Sequence, residues 1–504
     1  MKKNSLTTAV VAGIAGIAGF AGLAQAVDLN PDGLGQVLIY PYYTVNKSQD
    51  TLISVVNTAE VGKAVKVRFL EGYNSREVLD FNLFLSPYDV WTAAVSQVSD
   101  EGGAQIFTAD NSCVDFIPKW PYPFSSAAYT GGVAGPGVSY PKDSGPQGIE
   151  RTREGYIEMI TMGDIIPGSD LDLATTHEQT GVPGAGMPPD GGPVAGRCGA
   201  PVGNDVATAA DLLPPTSGLF GGGAVVNVGV GTFFSYNADA IEGFTETVLY
   251  TNPSALTPTL QAANTPSIAA TGVARSYVFT ENGALLTADF ARGEDAVSAV
   301  FMADAIYNEY FIDSDLGASS DWVVTFPTKR FYVDKGLYPS AITSPFANAF
   351  AGGISNVELS MVTWDQEELG SEGPNAPRCP SPPTDECFLT APYLPYEVNV
   401  ITFLNAEGDG TDVLGSALSK TVPAVGLSGW GRIDLASGDA GSHVLGGGVT
   451  AGGADVAIPG LPATGFHANN VINANANPGL LANYSGVWRH RASRSCAGDD
   501  AACS

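Results

Sequence analysis

The sequence has few positively charged residues. Its 504 residues include 23 Lys and Arg against 52 Asp and Glu, which gives a formal net charge of −29 at pH 7. Nucleic-acid binding depends on basic side chains that replace the counterions of the phosphates. We therefore expect no nucleic-acid partner. The acidity also makes copies of the chain repel one another unless cations screen the charge, which is compatible with a cell-surface protein.

Signature motifs of two common enzyme classes are also missing. The chain has no Gly-x-Ser-x-Gly nucleophile elbow, and His177-Glu178 is not followed by the second histidine of a His-Glu-x-x-His zinc motif. Catalysis is therefore not expected. The four histidines stand in Gly-rich or polar surroundings and are predicted to be solvated loop residues: His177, His443, His467 and His490.

Long apolar runs are absent except at the N-terminus. Lys2 and Lys3 precede an apolar run that ends in Ala24-Gln25-Ala26, a small-residue cleavage pattern. The run has about 15 residues and is too short to span a bilayer, which takes ~20. Residues 1–26 are thus predicted to be a secretory signal peptide. No later stretch is apolar enough for a transmembrane helix, so we expect a secreted or cell-surface protein, with the periplasm as the alternative.

Cysteine is scarce, but its number is even. An even count in an exported chain indicates disulfides. Proximity along the chain favours the pairs Cys379–Cys387 and Cys496–Cys503, which leaves Cys113–Cys198 as a third, long-range pair. Cys-x-x-Cys pairs are absent, which argues against zinc. The six residues are Cys113, Cys198, Cys379, Cys387, Cys496 and Cys503.

The composition predicts an all-β, mainly antiparallel fold. Val, Ile, Thr, Tyr and Phe recur in short runs between turn residues, and good helix formers are scarce. Runs at 52–57, 65–69 and 78–85 follow one another at about 12-residue spacing, which favours immunoglobulin-like β-sandwich domains. Long Gly/Pro-rich loops and few short helices are expected, with helices near 238–241 and 304–310.

Changes in composition suggest a division of the chain after the signal peptide. An N-terminal β-sandwich part is predicted for residues 27–126, followed by a loop-rich insertion at 127–218, where Gly and Pro cluster. A central β region would cover residues 219–340 and a C-terminal β region residues 341–504.

One loop has the spacing of a calcium site. Asn405, Glu407, Asp409 and Asp412 place oxygen atoms at near-alternate positions, and Gly410 is sixth, as in a calcium-binding loop. Position twelve is Ser416 rather than a bidentate Glu, so a polar hairpin turn is the alternative. No other cofactor is expected.

Acidic and aromatic residues recur together between residues 307 and 365. Glycosidases place two carboxylates on a cleft that binds sugar, and aromatic rings line such clefts. The same composition is ordinary at the edges of a β-sandwich. The carboxylates are Glu309, Asp321, Glu358 and Asp365, and the aromatic residues are Tyr307, Tyr310, Trp322 and Trp364.

Two segments near the C-terminus invite a functional interpretation. Residues 461–465 read LPATG, a sortase motif, but no apolar tail follows, so a turn between strands is predicted. Residues 488–494 are basic in an acidic chain. They would bind anionic lipopolysaccharide or the acidic face of a neighbouring subunit, or form a solvated tail.

Three sequence segments together resemble a family of exported proteobacterial proteins labelled uncharacterised or cell-surface. They are DFNLFLSPYDVW at 80–91, DWVVTFPTKR at 321–330, and LPATGF at 461–466 before a final Ala-Asn-Tyr and His-Arg. The resemblance implies export from a Gram-negative cell and brings no catalytic residues.

The sequence favours an exported structural or adhesive cell-surface protein. It would be a surface-layer, matrix or filament subunit that associates with itself or with other cell-surface components. The alternative is a carbohydrate-binding protein, or a glycoside hydrolase or lyase, built on a β-sandwich.

Overall fold

Antiparallel β-sheet dominates the structure, a computed structural model, which confirms the predicted all-β class. It describes residues 26–115, 121–135, 138–177, 207–253, 255–265, 273–339, 344–371, 393–410, 412–438, 441–498 and 503. The predicted signal peptide lies outside these residues except for Ala26, which is buried beside Val27.

The strands of the N-terminal half are β1 (Asp28–Leu29), β2 (Val37–Thr44), β3 (Asp50–Asn57), β4 (Lys63–Glu71), β5 (Glu77–Leu85), β6 (Val90–Gln97), β7 (Ala104–Phe107), β8 (Cys113–Asp115), β9 (Tyr122–Pro123), β10 (Val133–Gly135), β11 (Val138–Ser139), β12 (Glu154–Ile165), β13 (Leu212–Leu213), β14 (Leu219–Asn227), β15 (Thr232–Asn237) and β16 (Asp239–Glu242).

The strands of the C-terminal half are β17 (Ala274–Phe279), β18 (Leu285–Phe290), β19 (Met302–Ala303), β20 (Ala305–Phe311), β21 (Ala318–Thr325), β22 (Ser360–Asp365), β23 (Val398–Leu404), β24 (Ser419–Pro423), β25 (Ser428–Asp434), β26 (Ser437–Gly438), β27 (Gly441–Ser442), β28 (Val444–Val449), β29 (Asp455–Pro459), β30 (Leu461–Pro462), β31 (Thr464–Asn477), β32 (Leu480–Arg489), β33 (Arg491–Ser493) and β34 (Ala497–Gly498).

Helices are short, as predicted. The α-helices of the described part are α1 (Ala127–Thr130), α2 (Asp170–Thr175), α3 (Gly293–Phe301) and α4 (Arg330–Val333), and its 3-10 turns are Asn46–Ser48, Ile149–Arg153, Ala209–Asp211 and Leu260–Ala262. No helix in the described ranges combines the length and apolar character needed to cross a membrane.

Two sheets of the N-terminal half form a β-sandwich. One has the order β1-β16-β2-β12-β4-β5-β8, with β13 beside β12, and the other has the order β15-β14-β3-β6-β7-β9. The Tyr40 hydroxyl on β2 donates to Ser54 O on β3, 2.7 Å away, and so joins the layers. Along β3, Ile53 and Val55 are buried while Leu52 is exposed. One face of the second sheet therefore joins the core and the other faces solvent.

The sheets do not follow the four stretches suggested by composition. Strand β12, in the stretch expected to be a loop-rich insertion, lies between β2 and β4 in the first sheet. Strands β14, β15 and β16 belong to the stretch named the central β region, yet they complete the two N-terminal sheets. A domain boundary between residues 218 and 219 would therefore separate strands that belong to the same β-sandwich.

Three sheets organise the C-terminal half. Their orders are β17-β18-β28-β29-β34, β22-β25-β20-β33 and β24-β23-β21-β31-β32. Strands β23 and β24 run parallel, and the others pair antiparallel. The long hairpin β31–β32 reaches back to the N-terminal sandwich, where the Asn483 amide donates to Val230 O at 2.6 Å.

Both helix predictions, at 238–241 and 304–310, are wrong. Residues 239–242 form β16, and residues 305–311 form β20, which pairs with β25 and with β33. Along β20, Ile306 and Tyr310 are buried while Glu309 is exposed, which is the two-residue period of a strand. Pairing on both sides of β20 outweighs its helical propensity.

One of the three predicted disulfides is confirmed. Cys496 and Cys503 are joined, with their sulfur atoms 2.00 Å apart. Cys113 is also disulfide-bonded. Its predicted partner Cys198 lies outside the described residues, as do Cys379 and Cys387.

Candidate functional site: an aromatic sheet face

Aromatic side chains cover the outer face of the sheet β22-β25-β20-β33. Trp364 on β22 stacks on Trp430 on β25, with ring centroids 4.2 Å apart and an angle of 17° between the rings. Tyr307 on β20 lies 6.5 Å from Trp430 between ring centroids. Trp430 keeps 41% of its surface exposed. We call Tyr307, Trp364 and Trp430 the aromatic face.

Strand register explains why these rings meet. Trp364 and Trp430 are directly opposed, and Arg432 is opposed to Tyr307. Directly opposed residues on antiparallel strands point to the same side of the sheet, so cross-strand aromatic pairs stack. Glycines at 429 and 431 flank Trp430 and leave its neighbours on the strand without side chains.

A second layer supports the aromatic face from below. A methyl group added at Gly431 would come within 3.0 Å of the ring of Trp322, which lies fully buried beneath. The Trp322 indole N–H donates to Glu309 O at 2.8 Å. The Tyr310 hydroxyl donates to Val425 O at 2.5 Å and lies 3.2 Å from Trp364 O. The indole bond ties β20 to the layer below, and the Tyr310 hydroxyl joins β20 to β22 and to the turn before β25.

Polar side chains border the aromatic rings. Glu309 is opposed to Trp430 on the neighbouring strand and is exposed. The Arg432 guanidinium lies 6.0 Å from the Tyr307 ring centroid and 3.7 Å from Asp434. Arg491 on β33 is opposed to Tyr307 on its other side. The face thus combines flat rings with donors and acceptors at its edge, as ligand sites do.

The predicted carboxylates and aromatic residues only partly converge. Three of the four predicted carboxylates lie in strands: Glu309, Asp321 and Asp365. Of these three, Glu309 points to the aromatic face. Asp365 follows Trp364 on β22 and points the other way, and its Oδ1 accepts from the backbone of Glu367 and Leu369. Tyr310 and Trp322 are buried supports. Glu358 lies outside the sheet, bridged by its backbone to Tyr393.

Asp321 is enclosed in the layer below. Its Oδ1 accepts from the Thr402 hydroxyl at 2.8 Å, and its Oδ2 accepts from the backbone N–H groups of Val413 and Leu414 at 2.9 and 2.8 Å. Burial raises the pKa of this carboxyl to about 7 despite these bonds. Asp321 therefore orders the segment at 413–414 and does not accompany Glu309 as a catalytic partner.

Sequence reasoning missed Trp430, the most exposed ring of the aromatic face. The signal that identifies it is the stretch Ser-Gly-Trp-Gly-Arg at 428–432, a tryptophan between two glycines inside a strand. Glycine in a strand marks a place where another group approaches the backbone closely.

The predicted calcium loop is closed by its own hydrogen bonds. Asn405 Oδ1 accepts from the backbone of Glu407 and Asp409 at 3.1 and 2.8 Å. Asp412 Oδ2 lies 3.6 Å from Lys47 Nζ. Within the described ranges, no three His, Cys, Asp or Glu side chains are arranged to hold a metal ion. The calcium site stays a prediction, and calorimetric titration with calcium tests it.

The basic stretch at 488–494 is not a solvated tail. Arg489 forms an ion pair with Asp239, and β33 pairs with β20. The prediction of a turn at the LPATG motif is also wrong. Leu461 is fully buried and lies in β30, which pairs with β19.

Two histidines of this region are not solvated loop residues, contrary to prediction: His467 is buried and His490 is half-buried. His467 is buried against Trp488 and lies 3.0 Å from the Ser320 hydroxyl, and burial lowers its pKa to about 3. His490 donates from Nε2 to Val323 O at 2.9 Å, and burial lowers its pKa to about 4. His443 is buried too.

A buried ionic network surrounds β4, the strand that contains the predicted run at 65–69. Arg68 on β4 lies 3.3 Å from Glu158 on β12 and 2.6 Å from Glu77 on β5. Arg330 of α4 binds both oxygens of Glu158 at 2.7 and 2.9 Å. Strand β4 is therefore buried on both faces, because carboxylates from neighbouring elements neutralise its basic side chains.

The network continues around Arg151, whose guanidinium binds Glu71 at 2.7 and 2.8 Å and Asp143 at 2.6 Å. Next to Arg330, Lys329 Nζ donates to Tyr396 O at 3.0 Å, and burial lowers its pKa to about 7. These groups bind one another inside the fold, which indicates a structural role.

Comparison of the chain with protein-family models, curated proteins and solved structures gives no match.

Proposed function

We propose that this protein is an exported, adhesive cell-surface protein that binds an uncharged polysaccharide on its aromatic face. The observation that carries the proposal is the solvent-open stack of Trp364 and Trp430 beside Tyr307. The apolar C–H faces of pyranose rings pack on flat aromatic rings, and their hydroxyl groups bind the charged groups at the rim.

The electrostatics favour an uncharged polymer. With a net charge of −29, the chain repels polyanions at long range. Arg432 partly offsets this repulsion, but it is already 3.7 Å from Asp434. An uncharged glycan is not subject to this electrostatic repulsion.

Hydrolysis is not part of the proposal. Glycosidases need two carboxylates on either side of the scissile bond. Glu309 reaches the aromatic face, while Asp321 is bound within the layer below. Asp434, which lies on the same side of β25 as Trp430, is engaged by the guanidinium of Arg432 at 3.7 Å and by the backbone N–H of Ala436 at 3.0 Å. Binding without cleavage agrees with an adhesive or matrix role. The Cys496–Cys503 disulfide is compatible with export, and the likeness to exported proteobacterial proteins stays a prediction.

Retention on a panel of polysaccharides tests the proposal. Purified protein is incubated with insoluble cellulose and chitin and is run through gels containing dextran or glycogen, with alginate and lipopolysaccharide as anionic probes. We expect retention by at least one uncharged polymer and loss of retention in Trp430→Ala. Tyr484→Ala removes another exposed ring, on β32, and should bind as wild type. Retention by none of the uncharged polymers, or equal retention of Trp430→Ala, would overturn the proposal.

A further inference from the structure

A lysine and an asparagine lie directly opposite each other in the first sheet of the N-terminal half. Lys66 on β4 is opposed to Asn82 on β5, and both side chains are fully buried. Directly opposed residues point to the same side of a sheet, with their Cβ atoms ~5 Å apart. Asp80, two residues before Asn82, points to that side too. An amine, a carboxamide and a carboxyl group therefore share one buried site.

The contacts of Lys66 prepare its amine to act as a nucleophile. Nζ donates to Asn252 O at 3.1 Å and to Pro253 O at 2.7 Å, and it lies 2.5 Å from Asp80 Oδ2. An ammonium group has three N–H donors, and a neutral amine has two. When Asp80 takes the third proton, the two carbonyls still bind both remaining N–H groups. The nitrogen lone pair then replaces the N–H that pointed at Asp80.

Asp80 can hold this proton at neutral pH. Its side chain is 12% exposed. Burial and the nearby Glu77 carboxylate raise the pKa of Asp80 to about 7, although Lys66 and Arg68 oppose the shift. A group whose pKa lies near the working pH both accepts and donates protons efficiently. Asp80 is therefore suited to take a proton from Lys66 and to pass it on.

The carboxamide of Asn82 is oriented but only half satisfied. Its Nδ2 donates to Thr251 O at 2.9 Å, which fixes the plane of the group. Its Oδ1 is buried and has no hydrogen-bond partner among the described residues, which costs stability. The protonated carboxyl of Asp80 is a donor on the same side of the sheet. A hydrogen bond from it to Oδ1 polarises the Asn82 carbonyl for attack.

We propose that Lys66 and Asn82 become joined by an intramolecular isopeptide bond, with Asp80 as the acid–base catalyst. Nζ attacks Cγ of Asn82, so the Nζ–Cγ bond forms and the Cγ–Nδ2 bond breaks. Of the two protons that Nζ loses, one leaves on Nδ2 as ammonia and the other stays on Asp80. The three side chains supply every atom and every electron of the reaction.

The bond closes the β4–β5 hairpin covalently. Residues 66–82, which include the turn of this hairpin, then form a loop that cannot be extended by force. This property suits an adhesive protein under load. The bond forms whether or not the aromatic face binds a polysaccharide, so the two proposals fail separately.

Lys63, on the same strand, provides the matched control. Its Nζ is also buried and binds Asp164 Oδ1 at 2.9 Å, as well as the carbonyl and the hydroxyl of Thr216. The residue opposite Lys63 on β5 is Leu85, so no carboxamide faces this amine from β5. Lys63 therefore forms an ordinary buried ion pair.

Peptide mass mapping of the full chain, after reduction and alkylation, tests this inference. A tryptic digest of wild type should contain residues 64–68 joined to the peptide that begins at Glu77. The joined species should be about 17 Da lighter than the two separate peptides together, which is the mass of ammonia. Lys63→Arg should give the same joined species. Lys66→Arg and Asp80→Asn should give none.

Wild type alone decides the outcome if the variants do not fold. Separate peptides in wild type overturn the inference. A joined species that is about 18 Da lighter, the mass of water, also overturns it, because Asp80 would then be the partner of Lys66. Full formation of the bond in Asp80→Asn would contradict the catalytic role of Asp80.

Discussion

Trp364 and Trp430 stack across neighbouring strands with their ring centroids 4.2 Å apart, on a sheet face that is open to solvent. Below them, the ring of Trp322 is fully buried. The sheet below, which contains β21, thus holds one tryptophan as core, while the sheet β22-β25-β20-β33 presents two others outward. Exposing large rings has a cost in water, which a bound ligand removes.

The buried ion pairs predict a large loss of stability when one partner is removed. Glu158→Gln leaves the guanidinium groups of Arg68 and Arg330 without their shared carboxylate, and the expected loss is ~3–5 kcal/mol. Urea unfolding followed by tryptophan fluorescence measures it.

The matched control for this prediction is Arg432→Met, which removes the half-exposed pair with Asp434. Its expected effect is within about 1 kcal/mol. Equal effects of the buried and the exposed change would contradict the structural role of the network.

His467 predicts a dependence of stability on pH. Its pKa in the folded protein is lowered to about 3, while the unfolded chain binds the proton near the ordinary value of ~6.5. The contribution of neutral His467 is therefore fully present above pH ~6.5 and is lost as pH falls toward about 3.

His467→Gln isolates this contribution from other titrating groups. The stability advantage of wild type over the variant should shrink by roughly 2.7 kcal/mol between about pH 7.5 and about pH 4.5. The pKa of Asp321 is raised to about 7, so its contribution to stability grows as pH falls. This contribution is the same in wild type and variant and cancels in the comparison. Parallel pH curves for the two proteins would show that His467 does not stay neutral in the fold.

The Cys496–Cys503 disulfide predicts a local effect. It adjoins β34, which pairs with β29 through Val456 and Gly498. In a double Cys→Ser variant, amide exchange at 497–498 should accelerate while the sandwich is unchanged. The loss of stability should not exceed about 2–3 kcal/mol, because the closed loop is short. Faster exchange throughout β2 or β12 would be inconsistent with this picture.

The sequence predicted the fold class because strand periodicity is local, and β3 and β5 lie where their apolar runs indicated. The prediction failed where contacts between distant parts of the chain determine the local structure. Residues 305–311 form a strand because β25 and β33 pair with it. Lys66 and Arg68 are buried because partners such as Asp80 and Glu158 neutralise them, and Glu158 is distant in sequence. Local patterns contain no information about such partners.

The candidate site was predicted only in part, for a similar reason. Tyr307 and Trp364 were recognised as aromatic residues near acids, but Asp321 was grouped with them although it belongs to the layer below. Residue type does not reveal which face of a sheet a side chain occupies until the pairing register is known.

The central claim is most directly tested by calorimetric titration of wild type, Trp430→Ala and Tyr484→Ala with the uncharged polysaccharide that retains the protein. We predict that Trp430→Ala weakens binding by at least ~10-fold, which corresponds to ~1.4 kcal/mol of lost stacking, while Tyr484→Ala stays within about twofold of wild type. Equal affinity of Trp430→Ala and wild type would contradict the claim that the aromatic face binds the polymer.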